Sequence, residues 1–176
     1  MGHRKGWLAS KDRASGSCKM GDEMIIFLAL LIGIIAGLRA MTAPAAVAWV
    51  ANLGWLDISQ TPLAFLGYRW TPWILTLLAI GELISDQFPK TPSRKVPIQF
   101  GTRIITGGLS GAAIGASAGL LLLGLIAGIV GAVIGTYGGA ALRGKLAASL
   151  GRDLPAALTE DAIAVIGALL IVMAAS

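Results

Sequence analysis

Two acidic residues interrupt the end of an apolar segment near the middle of the sequence, in the stretch GELISDQFPKTPSRK. Glu82 and Asp86 are four residues apart, so a helix would place both carboxylates on one face. A carboxylate that faces lipid costs several kcal/mol, so this face is expected to turn inward and find basic partners. The candidate partners are Lys90 and Arg94 in the following loop, and Arg103 and Arg143 at helix ends.

A second acidic pair, Glu160 and Asp161, lies at the start of the last apolar segment. Placement near a helix N-terminus is favourable for acids and is one interpretation of this pair. In the other interpretation, the pair reaches the same membrane depth as Glu82 and joins one polar site. For Glu82 and Asp86 themselves, a static ion-pair clamp and a functional site both remain open.

Arg39 interrupts the first apolar segment, which continues after Pro44. If that segment starts at Met24, Arg39 comes near the outer leaflet, where its side chain could reach the interface. It could instead hold an anion beside the N-terminus of a second helical segment. That segment is expected to begin with Thr42 as its cap and Pro44 in its first turn.

An enzymatic interpretation uses the same residues differently. Glu82 and Asp86 could bind a magnesium ion through their oxygens, and Lys90, Ser93 and Arg94 could bind the phosphate of a lipid. Apart from this alternative, the sequence predicts no metal site and no cofactor. The one cysteine, Cys18, and the one histidine, His3, both precede the apolar segments, which excludes a Cys/His zinc site or a Ser-His-Asp triad in the core.

The elements that must position these charges are membrane helices. Of the 176 residues, 56% are hydrophobic and only 13% are charged, and the mean hydropathy is +0.79. Soluble domains average roughly 25% charged residues. The net charge of +5 comes from short basic tracts beside apolar segments, without interleaved aromatic residues, so the lipid bilayer and not nucleic acid is the expected partner.

The apolar segments predict an all-α transmembrane bundle of about five spans. The first span is expected to be broken between Arg39 and Pro44, because about 33 residues in one straight helix would be roughly 50 Å long. The basic residues fall in the N-terminal tail and in alternate connections. By the positive-inside rule, this pattern predicts an N-terminus in the cytoplasm and a C-terminus outside.

The polar segment 1–23 is expected to be a disordered basic cytoplasmic tail, and residues 24–176 to be a single transmembrane domain. Met20 and Met24 are alternative starts. A cleaved secretory signal, with its small-residue stretch TAPAA, is an alternative for the first segment.

Glycines recur every four residues in the two apolar segments between Arg103 and Arg143. This spacing lines one helix face with glycine and lets two backbones approach closely. The ladders predict packing of spans three and four on each other, or contact with a second copy or another membrane protein. The residues are Gly107, Gly111, Gly115 and Gly119, and then Gly131, Gly135 and Gly139.

Four strings together resemble an uncharacterised family of small bacterial integral membrane proteins, classed only as a domain of unknown function. The strings are GLRAMTAPAAVAW, GELISDQFPKTPSR, GTYGGAALRGKL and DLPAALTEDAIAVIGALLIV. The resemblance covers roughly residues 25–172 and implies a location in the bacterial inner membrane without implying an activity.

Three functions therefore compete. A transporter- or channel-like protein with a polar path through Arg39, Glu82 and Asp86 is favoured, because broken helices and buried charges are typical of such paths. A non-catalytic structural or accessory subunit is the first alternative, and the magnesium-dependent enzyme is the second. We therefore expect a protein without enzymatic activity rather than an enzyme.

Overall fold

The computed structural model describes residues 3–85, 97–150 and 153–176. This part of the chain is all helical, without strands. Its six α-helices are α1 (His3–Leu38), α2 (Thr42–Asn52), α3 (Thr71–Ser85), α4 (Pro97–Ser117), α5 (Leu121–Leu150) and α6 (Asp153–Ala174), and a short 3-10 helix spans Ala64–Gly67. Four of the predicted site residues, Asp86, Lys90, Ser93 and Arg94, lie outside the described residues.

Three segments are long and apolar enough to cross a membrane: Gly21–Leu38, Leu121–Lys145 and Ala157–Ala174. The helix Thr71–Ser85 is apolar but shorter. Large apolar side chains cover the outer surface of the bundle, among them Leu77, Leu122 and Leu170. An outer surface this apolar is typical of a protein in contact with lipid. The architecture is therefore that of a helical membrane protein.

The first helix extends to His3, where the sequence predicts a disordered tail. The tail has no apolar face of its own, which is why its sequence does not predict a helix. It is continuous with the apolar helix that follows, and extending an existing helix costs far less than nucleating a new one.

The direction of α1 differs from the five-span prediction. Gly33 lies against Gly128, and Gly37 lies against Thr136, so α1 runs parallel to α5. Ile35 lies against Gly167 while Arg39 pairs with Asp161, so α1 runs antiparallel to α6. Five alternating spans would make the first and last helices parallel, whereas α1 and α6 are antiparallel here.

The chain continues after the break as a separate helix in the interior of the bundle. Seven consecutive residues of α2, 42–48, are buried, as is Val50. Seven residues cover every side of a helix, so α2 must be surrounded by other elements, and it packs against α3, α4 and α6. It is therefore an interior half-length helix, roughly 16 Å long.

Helix α3 then returns beside α2. The Trp49 indole N–H donates to the Thr76 hydroxyl at 3.0 Å, and Glu82 contacts the start of α2, so the two helices are antiparallel. The indoles of Trp49 and Trp73 meet edge to face at 5.1 Å. Only Pro72 and Ala79 of α3 are buried, so this helix lies at the periphery.

Glycines join α1, α4 and α5 into a closely packed layer. A Cβ atom added to Gly111 would lie 2.8 Å from the Gly128 Cα, and one added to Gly115 would lie 2.9 Å from the Gly124 Cα. The corresponding faces of α4 and α5 are thus in backbone contact. Along these helices there is no space for a side chain at the crossing points.

Two other glycine predictions need correction. Gly131 and Gly135 face α1, where added Cβ atoms would lie 2.9 Å from the Ile34 N and the Ile34 carbonyl carbon, and they do not face α4. Gly119 lies between α4 and α5 with φ 74°, a conformation that glycine adopts without strain, and it is not part of a helical ladder.

The connection between α2 and α3 covers the end of the bundle opposite the break. Leu56, Ile58 and Leu66 are buried there, whereas Trp55 and Tyr68 are exposed. The hydroxyl and the backbone N–H of Ser59 donate to the Asp57 carboxylate, and these hydrogen bonds lower the pKa of Asp57.

Candidate functional site

The candidate site is the break between α1 and α2. Pro44 has no N–H to donate to the residue 40 carbonyl, and its ring would clash with that carbonyl in a continuous helix. In an uninterrupted helix, the Met41 N–H would donate to the Gly37 carbonyl, and the Thr42 N–H to the Leu38 carbonyl. The break frees these groups inside an apolar bundle, where each unpaired polar group costs about 1–3 kcal/mol.

Glu82 of α3 accepts the N–H groups freed at the break. The Ala40 N–H donates to one carboxylate oxygen and the Met41 N–H donates to the other, each at 2.8 Å. The carboxylate thus caps the N-terminus of α2, where the helix dipole favours a negative charge. The sequence predicts Thr42 as the cap, which is wrong. Thr42 is the first residue of α2, and its side chain caps nothing.

Arg103 of α4 binds the carbonyl groups on the other side of the break. Its Nη1 donates to the Leu38 carbonyl at 2.6 Å and also to the Gly37 carbonyl. Its Nη2 lies 3.8 Å from Glu82 Oε1. The Thr136 hydroxyl, which donates to the Ala132 carbonyl, lies 3.4 Å from the Gly37 carbonyl oxygen. One arginine therefore joins the end of α1 to the acid that caps α2.

Arg39, which lies within the break, forms an ion pair with Asp161 of α6. Arg39 is fully buried, and Asp161 is 9% exposed. Because Arg39 is buried in this ion pair, its side chain does not reach an interface, which was one of its two interpretations from the sequence. Antiparallel packing of α1 and α6 brings Arg39 to Asp161, and the Glu82 carboxylate binds the N–H groups of the two residues that follow Arg39.

The basic and acidic groups of the site differ in exposure. The side chains of Arg39 and Arg103 are 0% and 3% exposed, whereas those of Asp161 and Glu82 are 12% and 15% exposed. The guanidinium groups thus form the floor of the site, and the carboxylates lie at its accessible rim. Glu160, which precedes Asp161, is also buried.

Sequence reasoning found four charged members of this site and missed its remaining groups. Arg39, Glu82, Arg103 and Asp161 are brought together, and the Glu82–Arg103 pair was among those predicted. Arg143 lies farther along α5 and is partly exposed. The backbone groups of the break and Thr136 were missed, because no residue type marks a backbone N–H as a ligand. The string GTYGG, which places Thr136 on a glycine-lined face, was the available signal for that residue.

A separate groove of about 550 Å³ lies at the opposite end of α2. The connection between α2 and α3 lines it, including Asp57, Tyr68 and Arg69. Because the break is at the N-terminus of α2 and the groove begins at Ala51, the two are separated by most of that helix.

Comparison with family models, curated proteins and solved structures gives no match. Within the residues that the structure describes, no three His, Cys, Asp or Glu side chains are grouped closely enough to hold a metal ion.

Proposed function

We propose that this protein is a small transporter- or channel-like protein of the bacterial inner membrane, and that its polar intramembrane site is the break between α1 and α2. One observation carries this proposal. Charged side chains from two other helices, Glu82 and Arg103, replace the hydrogen bonds of a helix that is interrupted inside an apolar bundle. Interrupted helices with charged groups at membrane depth are typical of solute pathways.

The peripheral position of α3 supports the proposal that this helix moves relative to the rest of the bundle. This helix carries Glu82, is mostly exposed and packs chiefly against α2 and the 3-10 helix. By contrast, α1, α4 and α5 are joined through glycine contacts that leave no space for rearrangement. Movement of α3 would withdraw the Glu82 carboxylate and open the break, while the glycine-packed layer stays in place.

The same contacts argue against the enzyme alternative. Both oxygens of Glu82 accept backbone N–H groups and one faces Arg103, so this carboxylate is already used as a helix cap. The accessory-subunit alternative loses much of its proposed docking surface, because the ladder glycines of α4 and α5 pack inside the chain.

We also propose that this chain is related to the uncharacterised family of bacterial membrane proteins that it resembles. The support for this relationship is that three of the quoted strings contain members of this site. GLRAMTAPAAVAW holds Arg39, GELISDQFPKTPSR holds Glu82 and DLPAALTEDAIAVIGALLIV holds Asp161.

Flux through liposomes tests the proposal. Purified protein would be reconstituted, and movement of protons, sodium, potassium, chloride and formate would be followed with ion-sensitive or voltage-sensitive dyes. We expect flux of at least one of these above the level of protein-free liposomes, with a change of about tenfold or more in Glu82→Gln, the size of effect that about 1.4 kcal/mol produces.

Asp57→Asn is the matched control, because Asp57 is an exposed acid in a connection and should leave the flux unchanged. Circular dichroism of Glu82→Gln would establish that its helices are intact. If the wild-type protein never exceeds protein-free liposomes for any of the five ions, the transport proposal is wrong and a structural role is favoured.

A further inference from the structure

We propose that the break is a binding site for a small carboxylate anion, and that the Glu82 side chain occupies this site as a tethered competitor. The inference rests on the proposed transport function, for which it names the substrate class. It is carried by the groups that surround the Glu82 carboxylate.

The occupant of the site is itself a carboxylate in a two-oxygen arrangement. One oxygen accepts the Ala40 N–H and the other accepts the Met41 N–H, both at 2.8 Å, and Arg103 Nη2 lies 3.8 Å from the first oxygen. Two adjacent N–H donors and a guanidinium match the planar fork of a carboxylate. The occupant reaches the site from α3, whereas the donors belong to the break and to α4.

A second observation concerns a side chain and not the backbone N–H groups. The Thr42 hydroxyl oxygen directly follows the two N–H groups in sequence, is buried and has no hydrogen-bond partner in the described part of the chain. A buried hydroxyl without a partner is costly, and an additional ligand oxygen would supply one. The Glu82 side chain therefore leaves some of the polar groups of this region unused.

The groups around the Glu82 carboxylate determine the sign of the ligand's charge. Withdrawal of the Glu82 carboxylate would uncover the N-terminus of α2 and the buried Arg103 guanidinium, which are both electropositive. A cation in the place of the carboxylate would face two N–H donors and a guanidinium, which repel it. An anion would restore each hydrogen bond, and its carboxyl group would need to enter beside the rim, where Glu82 is 15% exposed.

Glu82→Ala removes the tethered carboxylate and keeps the site, so chemical rescue tests the inference. Thermal unfolding in nanodiscs would be measured in sodium formate and in sodium chloride at equal ionic strength. We expect the variant to be less stable than the wild type in chloride. Saturating formate should raise its Tm by about 5 °C, because a ligand that binds only the folded state stabilises it.

The wild type should need a higher formate concentration than the variant, because the tethered carboxylate competes with formate for the site. Opening of the site in the wild type should also change tryptophan fluorescence, because α3 carries Trp73 of the Trp49–Trp73 pair. Asp57→Ala is the control and should show no difference between the two salts. Sodium phosphate serves as a third salt, and a stronger response to phosphate than to formate would contradict a carboxylate site.

Glu82→Gln provides a second variant if Glu82→Ala does not fold. Its amide oxygen can accept an N–H group, but its amide nitrogen cannot. Equal responses to formate and chloride in both folded variants, or in Glu82→Gln alone if the alanine variant is lost, would overturn the inference.

Thermal unfolding measures formate binding without an ion gradient, so its result does not depend on transport. The anion site and the transport function can therefore be refuted separately. Formate rescue without flux of any ion would refute transport and leave the anion site. Flux of another ion without a formate response would refute the anion site and leave transport.

Discussion

Arg103 and Glu82 bind opposite sides of one broken helical turn and lie 3.8 Å from each other. The N–H of Met41 and the carbonyl of Gly37 would be partners in a continuous helix, and here each has a charged partner instead. A charged group in an apolar bundle needs a counter-charge, and each residue of this pair supplies the other's. The break, the two side chains and their ion pair therefore form one unit, which is stable only when it is complete.

Arg103→Lys should destabilise the protein although it keeps the positive charge. Arg103 Nη1 donates to two carbonyl groups while Nη2 faces Glu82, and a lysine has one nitrogen on a flexible chain for all three acceptors. We expect a loss of about 1–3 kcal/mol in the free energy of unfolding, measured by denaturant titration in detergent. Arg69→Lys, at an exposed position, is the control and should stay within about 0.5 kcal/mol of the wild type. Equal stability of the two variants would mean that Arg103 acts only as a point charge.

The Arg39–Asp161 pair should show strong coupling in a double-mutant cycle. Arg39→Met or Asp161→Leu leaves one charge in a buried site without its observed partner, at a cost of about 3–5 kcal/mol. The double variant removes both charges and should be more stable than the sum of the single effects predicts. The measurement is the unfolding free energy of all four proteins. Additive effects would show that each residue is stabilised mainly by other groups.

Two glycines of α5, Gly128 and Gly138, should differ sharply in their tolerance of substitution by alanine. An added Cβ at Gly128 would lie 3.0 Å from the Gly107 carbonyl carbon, whereas nothing lies within 4 Å of one added at Gly138. Both glycines belong to α5. Gly128→Ala should lower the melting temperature by several degrees or prevent folding, because two backbones must separate. Gly138→Ala should be neutral or stabilising by up to about 1 kcal/mol, because alanine is the better helix former. Equal tolerance at both positions would contradict the close approach of α4 and α5.

The membrane class and most charged residues of the site could be predicted from the sequence. Both predictions follow from the free-energy cost of exposing charged side chains to lipid and large apolar surfaces to water. The break was also predicted, since Pro44 cannot continue a helix. The interior position of α2 could not be predicted, because its apolar sequence would suit a helix exposed to lipid equally well. That position depends on contacts with α3, α4 and α6, which are distant in sequence.

The partner of each charge was harder to predict than the charge itself. The sequence left Arg39 either near the outer leaflet or beside the N-terminus of the second segment, because the direction of α1 relative to α6 cannot be read from it. Antiparallel packing of these two helices brings the end of α1 to Asp161. Gly131 and Gly135 have the spacing of the α4-facing ladder, yet they face α1, because a helix packed between two neighbours needs small residues on two faces.

The direction of α1 also makes a topological prediction that differs from five alternating spans. Parallel packing of α1 and α5 places Glu23 at the same end of the bundle as the turn between α4 and α5, and α6 also ends there. In a protein whose Cys18 is replaced by serine, single cysteines at the exposed positions Glu23, Ala118 and Ser176 should react with a membrane-impermeant thiol reagent from one side. A cysteine at Lys145, near the other end of α5, should react only from the opposite side. The five-span arrangement requires Glu23 to react together with Lys145, so the side on which Glu23 is labelled decides between the two.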